Sequence, residues 1–331
     1  MTGNEEHQYQ PLLAGHRLGF DASVPDGGYR WWYLDAFSDD GTAALTIIVF
    51  IGSVFSPYYY RARRRGVATP ENFCSVNAIL YGPDRRRWAM TERGAGDLDR
   101  DERSISIGPS RVLDRDDGRY IFQIDEVCNP LPTRLRGQIE LRTSRLGSEC
   151  FALDPDGAHR WWPASPAGRV KVTMAQPDLS WEGSAYLDCN AGVIPLEETF
   201  RNWHWQRSES EAGRGHIHYD ATLLDGEACG LGLAYGPDGS CTRLSDPGCQ
   251  GDLSPTTLWR AKRRCRALVG EPRVVHTLED SPFYARSVLE LDSGLGRRKV
   301  MHESLHLDRF TRPWMQWMLP VRMPRRRLVS A

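Results

Sequence analysis

The sequence predicts an all-β protein made of two consecutive antiparallel β-barrel domains. Three observations support this prediction. Helical periodicity is scarce along the 331 residues. Short stretches rich in valine, isoleucine, tyrosine, phenylalanine and tryptophan recur instead, as is typical of β-strands. Turn signals such as SDDG, RDDG and LLDG separate these stretches without intervening helical patterns, which indicates antiparallel barrels or sandwiches.

The N-terminal half of the chain contains three blocks of paired strands. Residues 29–52 read as two strands around the SDDG turn, and residues 72–94 and 104–129 repeat the pattern around GPD and RDDG. Glycine in these turns supplies the positive φ that tight hairpins need.

The domain boundary is expected in the proline-containing stretch 161–186, near residue 180. The predicted domains are therefore 1–180 and 181–331. The second domain ends in a tail that mixes tryptophan, methionine and leucine with a cluster at Arg325 to Arg327. Such a tail suits either a membrane interface or a segment packed across a barrel mouth.

Composition excludes several classes of protein. The net charge of −1 and pI of about 6.8 give no overall field that favours nucleic acid. The eight cysteines form no C-x-x-C pair, and the first residues lack a secretory signal, so we expect reduced thiols in a cytoplasmic protein. Local arginine clusters, such as Arg61 to Arg65, suit solvated loops or an anionic membrane surface.

Strand alternation groups the polar and aromatic residues of three segments onto shared faces. The shared faces are Tyr186, Asp188 and Asn190; Trp203 and Trp205, with His204 opposite; and His216, His218 and Asp220, with Tyr219 opposite. If all three faces lined one barrel, that many polar groups would be costly to bury unless they were hydrogen-bonded or functional.

Three interpretations of these residues remain open at this point. They can be polar residues of the core and rim whose hydrogen bonds are satisfied. The pair His216 and His218 can be metal ligands, completed by Asp220 or Asp188. Alternatively, Asp220 can be an acid that burial keeps protonated, with Trp203 and Trp205 offering their rings to a developing cation.

Three long blocks carry a resemblance to a known family. Residues 26–66, 72–94 and 186–208, the last reading YLDCNAGVIPLEETFRNWHWQRS, resemble the carotenoid 1,2-hydratase (hydroxyneurosporene synthase) family. The resemblance extends from about residue 24 to beyond residue 220. The family is similar in architecture to AttH-like proteins, so the resemblance implies two lipocalin-like β-barrels.

The resemblance implies addition of water, without any cofactor or metal, to the terminal C1=C2 bond of an acyclic carotenoid such as neurosporene or lycopene. This reaction belongs to spheroidene- or spirilloxanthin-type pigment synthesis. An acid protonates C2, a tertiary cation forms at C1, and water adds there. In the family this acid is an aspartate, and the matching residue of this sequence is Asp220. The expected catalytic set is Asp220, His218, Tyr219, Asp188 and Tyr186, and the expected substrate-binding set is Trp203, Trp205, Asn190, His204 and Trp32.

The implied partners are an acyclic carotenoid and water, with no nucleic acid. Because a carotenoid is nearly insoluble in water, we expect peripheral attachment to the cytoplasmic side of the bacterial inner or photosynthetic membrane. Two alternatives stay open: a non-catalytic lipocalin-like carrier of a hydrophobic ligand, and a related cofactor-free cyclase or pericyclase. A carrier needs the cavity but no protonatable acid.

Overall fold

The computed structural model describes residues 17–82, 86–208, 212–267, 269–292 and 297–326. It confirms the predicted all-β fold, with one nearly closed barrel sheet and a second sheet packed against it. Residues 1–16 of the predicted first domain and residues 327–331 at the end of the predicted C-terminal tail lie outside the described residues.

The first sheet contains the first twelve strands of the chain. Its order is β4-β3-β2-β1-β12-β11-β9-β8-β7-β6-β5, and β10 pairs with β11. The strands are β1 Tyr29–Ser38, β2 Ala44–Ile51, β3 Cys74–Tyr81, β4 Arg87–Arg93, β5 Leu98–Arg100, β6 Ser104–Ile107, β7 Ser110–Asp114, β8 Arg119–Val127, β9 Arg134–Arg142, β10 Phe151–Ala152, β11 His159–Gln176 and β12 Asp178–Gly192.

The second sheet has seven strands in the order β16-β15-β14-β13-β21-β20-β19, and β17 and β18 form a separate two-stranded ribbon. The strands are β13 Phe200–Ser208, β14 Gly215–Leu223, β15 Ala228–Tyr235, β16 Cys241–Arg243, β17 Cys249–Leu253, β18 Arg263–Ala267, β19 Val269–Asp280, β20 Tyr284–Asp292 and β21 Arg297–His306.

Three helices and three short 3₁₀ turns complete the described chain. The helices are α1 Pro57–Arg63, α2 Leu307–Phe310 and α3 Pro313–Arg322, and the turns are Pro70–Asn72, Ala95–Asp97 and Leu196–Glu198. None of the helices in the described part of the chain has the length and hydropathy needed to span a bilayer.

The chain passes from the first sheet to the second between Gly192 and Phe200. The stretch 161–186, expected to connect two domains, instead forms most of β11 and β12, a long hairpin in the first sheet. Residue 180 therefore lies inside β12. Proline does not interrupt β11 because its pairing with β12 shifts register between Trp162 and Ser165, where Pro163 lies.

Both faces of β1 are covered, which explains why its sequence does not alternate between apolar and polar residues. All ten residues from Tyr29 to Ser38 are buried. One face, which includes Trp32 and Leu34, lies in the core enclosed by the first sheet. The other face, which includes Trp31 and Tyr33, packs in a second core that also contains side chains of β13, β14 and β21. The two sheets thus share an interior layer.

A buried ion pair also joins the two sheets. Arg207 on β13 donates from Nε to Asp35 Oδ1 on β1 at 2.8 Å, and both side chains are buried. The guanidinium lies over the rings of Phe37 and Tyr186. Because each charge would be costly to bury alone, this pair helps to determine how the sheets face each other.

Candidate active site

The candidate site lies between the two sheets. In the first sheet, antiparallel register places Tyr33 opposite Asp188 and Trp161 opposite Asn190, so these side chains share one face. In the second sheet, Trp205 lies opposite Tyr219 in register. These two faces pack against each other in one core. They meet in the layer between the sheets, whereas the strand alternation had suggested the lumen of a single barrel.

Asp188 is the carboxyl group at the centre of this layer. Its Oδ2 accepts a hydrogen bond from Trp161 Nε1 at 2.9 Å and another from the Tyr186 hydroxyl at 2.8 Å. Burial raises the pKa of Asp188 to about 8, although these two hydrogen bonds oppose the rise. Asp188 is therefore protonated at neutral pH, and it can donate a proton.

Three buried polar atoms of this layer have no hydrogen-bond partner among the described residues: Asp188 Oδ1, Asn190 Nδ2 and Trp205 Nε1. Buried polar atoms without partners are rare in folded proteins, and they often mark a place where a ligand or water binds. Since Asp188 Oδ2 already accepts two hydrogen bonds, Oδ1 is the oxygen best able to carry the proton.

Aromatic rings surround Asp188. The Tyr186 ring lies 5.3 Å from that of Trp205, and the Trp161 ring lies 5.5 Å from that of Tyr219, centroid to centroid. Tyr219 on β14 faces Asn190 across the layer: burial raises the pKa of Tyr219, and the Asn190 side chain opposes that rise. Such rings exclude water and present electron-rich faces that attract a cation.

A cavity of about 410 Å³ extends from this ring layer towards α3. Tyr33 and Trp203 line it, and each contacts a ring beside Asp188: Tyr33 lies 6.3 Å from Tyr186, and Trp203 lies 5.6 Å from Tyr219. One ring layer therefore separates the cavity from Asp188. The remaining lining is largely apolar and includes Trp31, Ile48, Phe50, Phe55, Trp88, Met90, Phe283, Met315, Met318 and Leu319.

A second carboxylate, Glu303, lies in the wall of the same cavity. Its Oε1 accepts hydrogen bonds from the Tyr33 hydroxyl at 2.7 Å and from Arg286 Nε and Nη2 at 3.0 and 2.6 Å. Arg286 Nη1 donates to the Tyr81 hydroxyl at 2.7 Å. This network places charged groups in an otherwise apolar wall, and Glu303 stays paired with Arg286.

Sequence reasoning missed His159 and Trp161, which lie on the site face of β11. His159 Nδ1 lies 2.8 Å from the Tyr29 hydroxyl, and its Nε2 lies 2.8 Å from Thr199 Oγ1. Burial lowers the pKa of His159 to about 4, so the ring is neutral at pH 7. Alternation applied to HRWW (159–162) places both residues on one face, but Pro163 and Pro166 make the stretch from residue 161 resemble a connection.

Asp220 lies on the opposite face of β14 from Tyr219. Arg266 Nε donates to both of its oxygens, at 2.8 and 2.9 Å, and Asp220 lies opposite His204 in the β13–β14 register. Arg266 belongs to β18, which crosses this face of the second sheet. A carboxylate paired in this way is an ion-pair partner in a polar layer, and it is not enclosed by the aromatic rings as we had expected.

The predicted histidines lie in the same polar layer as Asp220. His204 Nδ1 lies 2.8 Å from Ser304 Oγ, and burial lowers its pKa. Burial also lowers the pKa of His218 to about 4. The His216 and His218 rings lie 6.5 Å apart, and within the described ranges no group of three or more potential ligands could hold a metal ion.

The structure thus places the ten predicted residues in three locations. Six meet in the layer between the sheets: Asp188, Tyr186, Asn190, Trp203, Trp205 and Tyr219. Asp220, His218 and His204 lie on the far face of the second sheet. Trp32 lies in the core of the first barrel, where its Nε1 donates to the Leu18 carbonyl at 2.8 Å, so it does not contact the cavity. The neighbouring Trp31 lines the cavity instead.

Comparison with known proteins gives consistent matches. The family described as carotenoid hydratase CrtC matches residues 47–331. The chain is 44% identical over 307 residues to the acyclic carotenoid 1,2-hydratase of Thiocapsa roseopersicina, which covers 92% of this chain and 75% of that protein. It is 42% identical over 313 residues to the protein of the same name from Rubrivivax gelatinosus, covering 93% and 76% of the two chains.

Solved structures share the fold at low sequence identity. A structure described as an AttH from Nitrosomonas europaea has a TM-score of 0.56 and 14% identity, covering 84% of this chain and 92% of that one. The kievitone hydratase of Nectria haematococca has a TM-score of 0.52 and 7% identity, covering 90% and 96%. These likenesses concern the fold, and they agree with the predicted AttH-like architecture. The family match and the two hydratases show that this chain belongs to the carotenoid hydratase CrtC family, which confirms the predicted family and its hydro-lyase class.

Proposed function

We propose that the protein adds water to the terminal C1=C2 bond of an acyclic carotenoid such as lycopene or neurosporene. The names of the relatives support the carotenoid class of substrate. The apolar, aromatic-walled cavity of about 410 Å³ suits one end of a long polyene.

Asp188 is the acid in this proposal. The observation that carries it is a buried carboxyl group whose pKa is raised to about 8, enclosed by rings beside the cavity. The O–H bond of Asp188 breaks as a C–H bond forms at C2, and the π electrons leave a tertiary cation at C1. Water then forms a bond to C1, and the proton that it releases restores the acid. A proton donor that is positioned and neutral at pH 7 is what general acid catalysis requires.

Asp220 is less suited to this role. Both of its oxygens accept hydrogen bonds from Arg266, and it lies on the far face of β14 from the aromatic layer. For the substrate end to reach Asp188, it must pass between Tyr33 and Trp203, the two rings that end the cavity. The same rings, together with Trp205, then flank the cation at a short distance.

Glu303 orients the water. All three hydrogen bonds that hold this side chain reach Oε1, and no described residue bonds to Oε2, which is available to a water in the cavity. A carboxylate fixed by Arg286 and Tyr33 can accept a hydrogen bond from the water and direct its lone pair to C1. Glu303→Gln should therefore lower kcat more than it changes KM for the carotenoid.

The test uses purified protein, detergent-solubilised lycopene and water labelled with ¹⁸O, without added cofactor. We expect ¹⁸O at C1 with the unmodified protein. Asp188→Asn should lower the rate by roughly 10²–10⁴-fold, the usual contribution of a positioned acid. Asp220→Asn should retain most of the activity of the folded protein.

The mass of the product separates the remaining alternatives. Hydration adds one water, cyclisation leaves the mass unchanged, and a carrier yields no product. Full activity of Asp188→Asn would contradict the assignment of the acid. Loss of activity in a folded Asp220→Asn protein that still binds lycopene would instead identify Asp220 as the acid that protonates the substrate.

We also propose that the protein works as a peripheral protein at the cytoplasmic side of the bacterial inner or photosynthetic membrane. The support is physical: its carotenoid substrate is nearly insoluble in water and resides in the bilayer. Enzyme and substrate meet only if the cavity approaches the membrane surface.

A further inference from the structure

Helix α3 carries apolar side chains on both of its faces. Met315 and Leu319 are buried against the body of the protein, with exposed fractions of 3% and 5%. The outward stripe repeats at helical spacing and consists of Trp314, Trp317, Met318 and Val321, which are 45%, 81%, 43% and 65% exposed. These are four of the eight exposed large hydrophobic side chains in the described part of the chain, and all four lie within ten residues. Such concentration marks an interaction surface.

A basic groove of about 420 Å³ lies between α1 and α3. Arg61, Arg64 and Arg65 line it together with Trp317. Within the described residues, none of these three arginines forms an ion pair with a carboxylate, whereas the neighbouring Arg63 pairs with Glu197 at 2.5 Å. The groove therefore presents positive charge that the described protein groups do not neutralise.

The two helices form one platform. Pro320 has no backbone N–H to donate to the Gln316 carbonyl four residues earlier in α3. Arg61 Nη2 of α1 donates to that carbonyl at 3.2 Å. The contact fixes the basic groove beside the exposed stripe, so that the positive charges and the apolar side chains face a partner together.

The same helix borders the cavity. Met315, Met318 and Leu319 line the cavity that leads to Tyr33 and Trp203. Whatever binds the outward stripe of α3 is therefore next to the cavity wall that this helix forms.

We propose that the docking face, formed by Trp314, Trp317, Met318 and Val321 of α3 with Arg61, Arg64 and Arg65 of α1, binds an anionic phospholipid bilayer. Indole rings insert at the level of the headgroups, and the arginines pair with lipid phosphates. The polyene then enters the cavity without crossing water. This inference rests on the proposed function, since it explains how a membrane-dissolved substrate reaches the site.

The unpaired arginines favour binding to an anionic bilayer over binding to a second copy of the chain. A symmetric dimer through this face would bring two sets of unpaired arginines together, and like charges at an interface oppose association. An anionic lipid surface attracts the same arginines, and it also receives the apolar stripe.

The test measures co-sedimentation of the full chain with vesicles of mixed phosphatidylcholine and phosphatidylglycerol, and with vesicles of phosphatidylcholine alone. We expect binding to the mixed vesicles that weakens with added salt. Trp317→Ser should weaken it by about tenfold or more, because the exposed indole loses its apolar contact. Arg64→Ser/Arg65→Ser should weaken it by roughly fivefold for each arginine.

A charge-matched control comes from the other end of the second sheet. Arg273 lies opposite Glu290 of β20, at the end of the second sheet where β21 begins. Helix α2 lies at the opposite end of the sheet, because it follows the last residue of β21, His306. Arg145 lies beside the turn at Gly239 that follows β15, on the same distant side. Arg145→Ser/Arg273→Ser removes the same two charges, and it should leave vesicle binding unchanged.

Activity provides an independent readout. Trp317→Ser should hydrate detergent-solubilised lycopene at the unmodified rate and lose about tenfold or more of its rate with lycopene in mixed vesicles. Equal vesicle binding by the unmodified protein, Trp317→Ser and the arginine variant would overturn the docking face. So would a dimer that buries Trp317 without any vesicle binding. Because vesicle binding needs no substrate, it tests docking even if no hydration is detected, an outcome that would count against the proposed function alone.

Discussion

Replacing Asp188 by asparagine should stabilise the fold at neutral pH while it removes activity. Asparagine has nearly the shape of the protonated carboxyl group, and its oxygen can keep the hydrogen bonds from Trp161 and Tyr186. It carries no charge at any pH. The substitution therefore removes the cost of keeping a carboxyl group protonated in a buried layer.

The size of this cost follows from the pKa of Asp188. In the unfolded chain its ordinary pKa is 3.8, and in the folded protein it is about 8. Below about pH 4 both states hold the proton, so the contribution of Asp188 to stability is fully present. As the pH rises the unfolded state releases its proton first, and the free energy of unfolding falls by about 1.4 kcal/mol per pH unit. The loss reaches about 4 kcal/mol at pH 7 and stops growing above about pH 8.

The assay is urea unfolding followed by tryptophan fluorescence between pH 5 and 8. The difference in the free energy of unfolding between Asp188→Asn and the unmodified protein should increase with pH across this range, towards about 4 kcal/mol in favour of the variant at pH 7. Asp220→Asn is the matched control. It leaves Arg266 without its charged acceptor, so it should destabilise the fold by about 1–3 kcal/mol.

Two results would refute this reasoning. If the difference in stability between Asp188→Asn and the unmodified protein did not change with pH, Asp188 would not change its protonation on folding. If the variant were destabilised by several kcal/mol at pH 7, the folded protein would need the charged carboxylate, and Asp188 could not be the proton donor.

Three further predictions concern activity and stability. The rate of hydration should fall as the pH rises through about 8, because Asp188 loses its proton there. Trp161→Phe lacks a hydrogen bond that lowers the pKa of Asp188, so in this variant the fall should shift to higher pH. A pH–rate profile of both proteins measures the shift. Arg207→Met leaves Asp35 buried without its partner, and it should lower the free energy of unfolding by about 3–5 kcal/mol in urea. Treatment with a chelator should leave hydration unchanged, as measured by product mass.

Each of these predictions has an outcome that contradicts it. A pH–rate profile unchanged by Trp161→Phe would mean that this indole does not control the acid. An Arg207→Met protein as stable as the unmodified one would show that the ion pair does not hold the sheets together. Loss of activity with chelator, restored by a metal ion, would revive the H-x-H interpretation of His216 and His218.

Much of the fold could be predicted because its signals are local. The SDDG turn that begins at Ser38 and the strand Cys74–Tyr81 are each specified by a few neighbouring residues. Both lie where the sequence predicted a turn and a strand. The stretch 161–186 was harder to interpret. Its prolines and glycines resemble a linker, but pairing with β1 and β9 on either side makes it a hairpin of the first sheet. Only those distant strands distinguish the two cases.

The sequence by itself determined the all-β class, the family, and which side chains share a strand face. Tyr186 with Asp188, and Trp203 with Trp205, follow from the two-residue period of a strand. The tertiary structure decided which faces meet. In strands buried on both sides, the period does not say whether a carboxyl group faces rings or a cation. Asp188 meets Trp161 across the hairpin, whereas Asp220 meets Arg266, 46 residues away. Burial among rings raises the pKa of Asp188 to about 8, whereas Asp220 is held in an ion pair with Arg266, and only the packing of the distant strands decides which carboxyl group has which neighbours.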